Sequence, residues 1–378
     1  MNIRTVERSN RRTHLLLGAA VLGALLLAAT DGGAAELRKL RMGAGSSVLS
    51  PILAHNTVGQ ALGYYEQEGI DLEIVLGQGS AAGMQQLLSR QVDVSSATPG
   101  FLMKSALKAG SPDALTIGTF VNRIHWRVAV NPDSPVKTIA ELRGKRIGAL
   151  SLGDSSYLGI RAMLQEVGIN PDADATLAIT GFGAPSAIAL RDGRIDAFAA
   201  YDGPFASLEN LGFRFRYLPL TPGAEKLFGP GYATRRDFLA ESRALAAHFL
   251  RAAYKGVVFT VHNPEAAVRI HMALYPESRP KGKTEDEALR EMVRIVEARM
   301  DKWRVDDMPV KKFGYGYKDR WEAYARFEGI ADKAGDVTRY YTNDLIDEAN
   351  SFRQEDIIRQ AKEMTPERVT QLLARRRH

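Results

Sequence analysis

Hydroxyl groups and small residues recur where short apolar runs give way to helical stretches, and these junctions are where the sequence could do chemistry. Gly45, Ser46 and Ser47 follow LRKLRM, Gly79, Ser80 and Ala81 open SAAGMQQLLSRQ, Thr98 follows VDVSSA, and Ser155, Ser156 and Tyr157 open SSYLGIRAMLQEVG. Such positions hold anionic or strongly polar groups, because the first N–H groups of a helix lack intrahelical partners and the helix dipole favours negative charge. Tyr201 and Asp202, at the end of DAFAAYD, add an aromatic ring and an acid. Trp126 supplies a ring suited to stacking on a planar ligand, and Arg123 a cation suited to a carboxylate or sulfonate. Each residue also has a plainer reading: Ser80, Ser155 and Asp202 as helix caps, Thr98 as a turn residue before Pro99, Trp126 and Arg123 as structural residues. Residue type and spacing leave both readings open.

Catalytic and metal chemistry finds little support. The chain has no cysteine, which removes disulfides, thiolate-bound metals and a thiol nucleophile together. Its seven histidines are dispersed, without HxH or HxxxH spacing. GQGS at 77–80 lacks the third glycine of a dinucleotide fingerprint. Neither a cofactor nor an enzymatic activity is expected.

The elements that must position these loops alternate. DLEIVL (71–76), VDVSSA (92–97) and ALTIGTFV (114–121) read as strands separated by single helices, which implies βαβ units and a largely parallel sheet. PILAHNTVGQALGYYEQEG (51–69) reads as one helix, with Pro51 in its first turn and Gly69 as its stop. After Asn131-Pro132 the same grammar repeats through KRIGAL (145–150), ATLAIT (175–180) and RIDAFAAYD (194–202), and RFRYLPL (214–220) reads as a returning strand. Beyond Thr221 the pattern turns helical, with a break at Asn263-Pro264 and an amphipathic run over 285–303.

At 378 residues the chain exceeds what one core usually holds, so two lobes are expected. With 45% hydrophobic and 25% charged residues it is an ordinary globular composition. A formal charge of +6, scattered and without a basic-aromatic module, points away from nucleic acid. Residues 1–35 read as an export signal: a basic head, an apolar run over 15–29 too short to span a bilayer, and the small pair Ala34-Ala35. Arg11-Arg12 raises the twin-arginine route beside the general secretory one. With no lipid-bearing cysteine, no stable membrane anchor is expected once the signal is removed.

Three phrases, 63–100 (GYYEQEGIDLEIVLGQGSAAGMQQLLSRQVDVSSATPG), 139–169 and 190–212, with a fourth over 321–350, resemble in their order the periplasmic substrate-binding proteins of ABC importers in the nitrate, sulfonate and taurine group. The thiamine-pyrimidine-precursor binders stand alongside. The resemblance implies an α/β, bilobed fold of periplasmic-binding type II with two crossover segments and C-terminal helices. Lobe 1 would comprise 36–126 and 221–378, and lobe 2 would comprise 127–220. It further implies hinge closure on a small polar or anionic organic ligand, sulfonate-, nitrate- or carboxylate-like, and delivery to an ABC permease and its ATPase. A pyrimidine or other heteroaromatic ligand is the alternative. A synthase of thiamine-pyrimidine type shares the fold, but its cysteine-rich motif is missing here. In the family the loops at these strand ends line the cleft, so the resemblance implies Ser46, Ser47, Ser80, Ala81, Thr98, Trp126, Ser155, Ser156, Tyr157, Tyr201 and Asp202 as the expected contacts.

Overall fold

Two five-stranded sheets organise the computed structural model, which describes residues 36–375. The expected export signal lies outside the described residues. The first sheet has the order β2-β1-β3-β10-β4, built from β1 (Arg38–Ala44), β2 (Ile70–Leu76), β3 (Val94–Ala97), β4 (Ala114–Thr119) and β10 (Gly231–Arg235). The second has the order β7-β6-β8-β5-β9, from β5 (Trp126–Val130), β6 (Arg146–Ala149), β7 (Thr176–Ile179), β8 (Ala197–Tyr201) and β9 (Arg216–Tyr217). Parallel pairing runs β1 to β3 and β7 to β6 to β8, while β10 and β5 enter their sheets antiparallel. The chain therefore crosses between sheets twice, after β4 and again between β9 and β10. The mixed α/β architecture expected from the alternating pattern is present.

The helices used below are α1 (Ala54–Ala61), α2 (Gly79–Leu88), α3 (Pro99–Ala109), α4 (Ser155–Glu166), α5 (Ala184–Arg191), α6 (Asp202–Asn210), α7 (Arg243–His262), α8 (Pro264–Leu274) and α9 (Glu285–Trp303). From Lys39 onward the chain packs as one compact unit. Every residue of β4 and β10 is buried, as expected of strands covered on both faces. α7 covers the first sheet with Phe249, Leu250, Val257 and Phe259 fully buried. Each such side chain contributes about 1.5–3 kcal/mol by leaving water. α9 begins with a capping box between Thr284 and Glu287, and packs against both α8 and α6.

Two expectations need correction. The stretch 51–69 is not one helix: a 3-10 turn (Pro51–Leu53) leads into α1, and Gly63 at φ 73° breaks the chain before a short turn at Tyr64–Gln67. β10 departs from the helical reading beyond Thr221, since GYATR carries no apolar run. It is made by long-range antiparallel pairing to β3 and β4. Among the described residues no helix is long and apolar enough to cross a membrane.

Candidate functional site

The carboxyl ends of the parallel strands of both sheets face one cavity, as open α/β sheets generally arrange their ligand sites. Its volume is about 80 Å³, room for several water-sized groups. From the first sheet and its helices come Ser46, His55, Asn56, Ser80, Thr98, Phe120 and Tyr232, and from the second side His125, Asp154, Ser155 and Tyr201. Arg299, on α9, completes the wall.

Two serines stand at helix starts on opposite sides. Ser80 is not the N-cap of α2, which is Gln78, but lies one residue inside the helix. Its Oγ accepts from the Thr98 N–H at 3.3 Å and from the Thr98 hydroxyl at 3.5 Å, so its own proton is left to donate. Ser155 is likewise not a cap: Asp154 caps α4, and the Trp126 Nε1–H donates to Ser155 Oγ at 3.0 Å. Gly159, one turn further along α4, makes this bond feasible, because a Cβ there would meet the Trp126 ring. Thr98 and Trp126 thus hold the two hydroxyls in place. Trp126 is buried and does not line the cavity.

The other expected contacts take different places. Ser46 lines the cavity, but its hydroxyl donates to the Val48 carbonyl at 2.7 Å. Ser156 donates both its N–H, at 2.8 Å, and its hydroxyl to Asp154. Tyr157 lies under Arg161, 5.8 Å from ring centroid to guanidinium. Asp202 sits behind the wall, where Arg299 Nε donates to its Oδ2 at 2.6 Å and Nη2 donates to its Oδ1. Ser47 and Ala81 do not line the cavity, yet the Ala81 N–H donates to the Gly153 carbonyl at 3.3 Å and so ties α2 to the loop before α4. Arg123 pairs with Asp307.

The lining also holds residues outside the expected contacts. His55 has Nδ1 3.0 Å from the Ile52 carbonyl, which places the proton there and leaves Nε2 to accept from the Tyr232 hydroxyl or the Asn56 amide, each at 3.0 Å. Burial, opposed by the Ile52 bond, lowers its pKa to about 3, so the ring is neutral. His125 is 4% exposed, and its Nδ1 has no hydrogen-bond partner among the described residues. Burial first, then Arg299 and Lys302, hold it well below the ordinary imidazole value. Asp154 is raised by burial against the hydrogen bonds from Ser156. Phe120 and Tyr232 stack with centroids 4.4 Å apart, giving the first-sheet side a flat aromatic wall. Arg299 could not have been found from strand-end logic, because it arrives from a C-terminal helix. Among the described residues no cluster of three or more His, Cys, Asp or Glu side chains could hold a metal ion.

The sequence profile described as NMT1/THI5 like matches residues 51–267, more than half of the chain. The chain belongs to the NMT1/THI5-like family. Among curated proteins it is similar to the riboflavin-binding protein RibY of Chloroflexus aurantiacus, 25% identical over 297 residues, covering 76% of this chain and 81% of that one. Among solved structures it resembles the alkanesulfonate-binding protein SsuA of Xanthomonas axonopodis pv. citri bound to MOPS, at a TM-score of 0.60 and 17% identity, covering 82% of this chain and 99% of that one. It also resembles the periplasmic nitrate-binding protein NrtA of Synechocystis PCC 6803, at 0.55 and 14%, covering 88% and 91%. These likenesses show that this NMT1/THI5-like chain has the fold of the periplasmic binding proteins.

Proposed function

We propose that the protein is the exported, periplasmic solute-binding component of an ABC importer, capturing a small polar organic solute in the cavity and handing it to a permease and its ATPase. The observation that carries this reading is a cavity walled from both sheets, in which Ser80 from one side and Ser155 from the other are each fixed by an accepted hydrogen bond with a proton to give. The backbone contact between Ala81 and Gly153 beside them supports the reading, since hinge-bending binders bring their two sides together around ligand. The relatives named above are binding proteins, which supports binding over catalysis, and the sequence of 1–35 supports export. A thermal-shift panel of alkanesulfonates, nitrate, aromatic carboxylates, pyrimidines and riboflavin tests the reading, since ligand that binds only the native state raises the melting temperature by mass action. The expected result is stabilisation by at least one class, reduced in Ser80→Ala and in Ser155→Ala. Equal shifts in wild type and both variants would remove the serines from the site.

A further inference from the structure

Among the described residues, the one guanidinium that lines the cavity is already matched by a carboxylate. Arg299 Nε and Nη2 hold Asp202, the two side chains being 4% and 1% exposed, which leaves Nη1 as the guanidinium nitrogen not engaged by that carboxylate. Asp154, also buried, stands in the same wall and caps α4. Burial first, then Asp154, pushes up the pKa of the Tyr201 hydroxyl, with Arg299 opposing and Asp202 adding to the rise. The remaining nearby cation, Lys302, pairs with Asp301 at 2.6 Å. Asp202 needs to be an acid to satisfy Arg299, but among the described residues Asp154 makes no ion pair. Its capping bonds to Ser156 are ones an asparagine supplies equally well.

We propose that Asp154 and Asp202 set the charge selectivity of the cavity. Resting on the solute-binding reading above, the assignment is that Asp202 offsets Arg299 by pairing with it directly, while Asp154 adds a second acidic side chain to the same wall. The solute is then held through hydrogen bonds to a polar oxygen, with Arg299 Nη1 among the donors, and the affinity for free oxyanions is held down. In a site of reduced dielectric, the loss of one such carboxylate changes the affinity for an anion strongly.

The test uses nitrate and MOPS as probes, with calorimetry or thermal shift on wild type, Asp154→Asn and Asp202→Asn. Each folded variant is expected to bind at least one of the two anions tenfold or more tightly than wild type, with the gain shrinking as ionic strength rises. Folded variants with wild-type anion affinity overturn the assignment. If Asp202→Asn fails to fold because Arg299 is left unpaired, Asp154→Asn decides alone. A wild type that binds some solute of the panel, with no anion gain in the variants, overturns the charge assignment and leaves the binding reading standing. Wild type and variants inert to the whole panel overturn both.

Discussion

The helices that start at the cavity are built alike in the two lobes and charged differently. On the first-sheet side α2 and α3 begin at Gly79 and Pro99 with no acidic residue in the first turn and no side-chain cap. On the second-sheet side α4 is capped by the Asp154 carboxylate and α6 opens with Asp202. A helix start carries roughly half a positive charge. The first lobe leaves that charge for whatever enters the cavity, whereas the second has already supplied carboxylates to it. The same strand-loop-helix grammar therefore yields an electropositive wall and a compensated wall, and a solute held between them meets hydrogen-bond donors on both sides but net attraction for an anion on one.

The largest expected effect comes from breaking the compensated side. Arg299→Met strands the buried Asp202 carboxylate and is expected to cost about 3–5 kcal/mol, read as a lowered midpoint in urea at neutral pH. A change below 1 kcal/mol would mean that Asp202 finds other partners and that the pair does not organise the wall. Next is the contact that joins the walls. A Cβ built on Gly153 would lie 3.3 Å from the Ala81 Cβ, close to the span of a disulfide, and Gly153 is not among the glycines at positive φ. In a chain without cysteine, Ala81→Cys with Gly153→Cys is expected to oxidise spontaneously and to stabilise the protein by about 2–4 kcal/mol. Non-reducing electrophoresis and thiol titration read this directly, and persistent free thiols under mild oxidant would show that the lobes do not meet there.

The sequence made the strand ends legible, because a helix start after a buried strand is a local pattern, and Ser80, Thr98, Ser155 and Tyr201 were reachable from it. Which hydroxyl is free was not legible. That depends on Trp126 reaching Ser155 across a gap that Gly159 keeps open, and on Ser46 turning back on Val48. The cap reading of the two serines fails for different reasons: Asp154, as good a cap as serine, precedes Ser155, whereas α2 starts at Gln78 with no side-chain cap at all. Arg299 and β10 were invisible for the same reason. Both depend on partners far away in the chain, Asp202 in one case and β3 with β4 in the other.

A smaller pair of substitutions sharpens the contrast between the helix starts. Asp154→Ala removes a cap whose side chain accepts the Ser156 N–H, and is expected to cost about 0.5–2 kcal/mol. Gln78→Ala, at a start with no side-chain cap on an exposed residue, is expected to stay within about 0.5 kcal/mol. Comparable losses in the two variants, measured by denaturant titration, would erase the distinction between a filled and an open helix start.

The smallest effect is a slope. Burial raises the Asp154 pKa above its ordinary carboxylate value, with the Ser156 hydrogen bonds opposing, so the folded protein holds this proton more tightly than the unfolded chain does. Linkage then fixes the sign: the contribution of Asp154 to stability is fully present below the unfolded pKa and is lost as pH rises through the higher folded value. Asp154→Asn keeps a capping oxygen and removes the titration. Its stability relative to wild type should therefore rise as pH is taken upward from the ordinary aspartate value, 3.8, and level off once Asp154 is ionised in the fold. Denaturant midpoints of the two proteins across that window carry the answer. A difference that falls with rising pH would mean that the capping bonds outweigh burial, making the second-lobe helix start a site that welcomes negative charge as readily as the first.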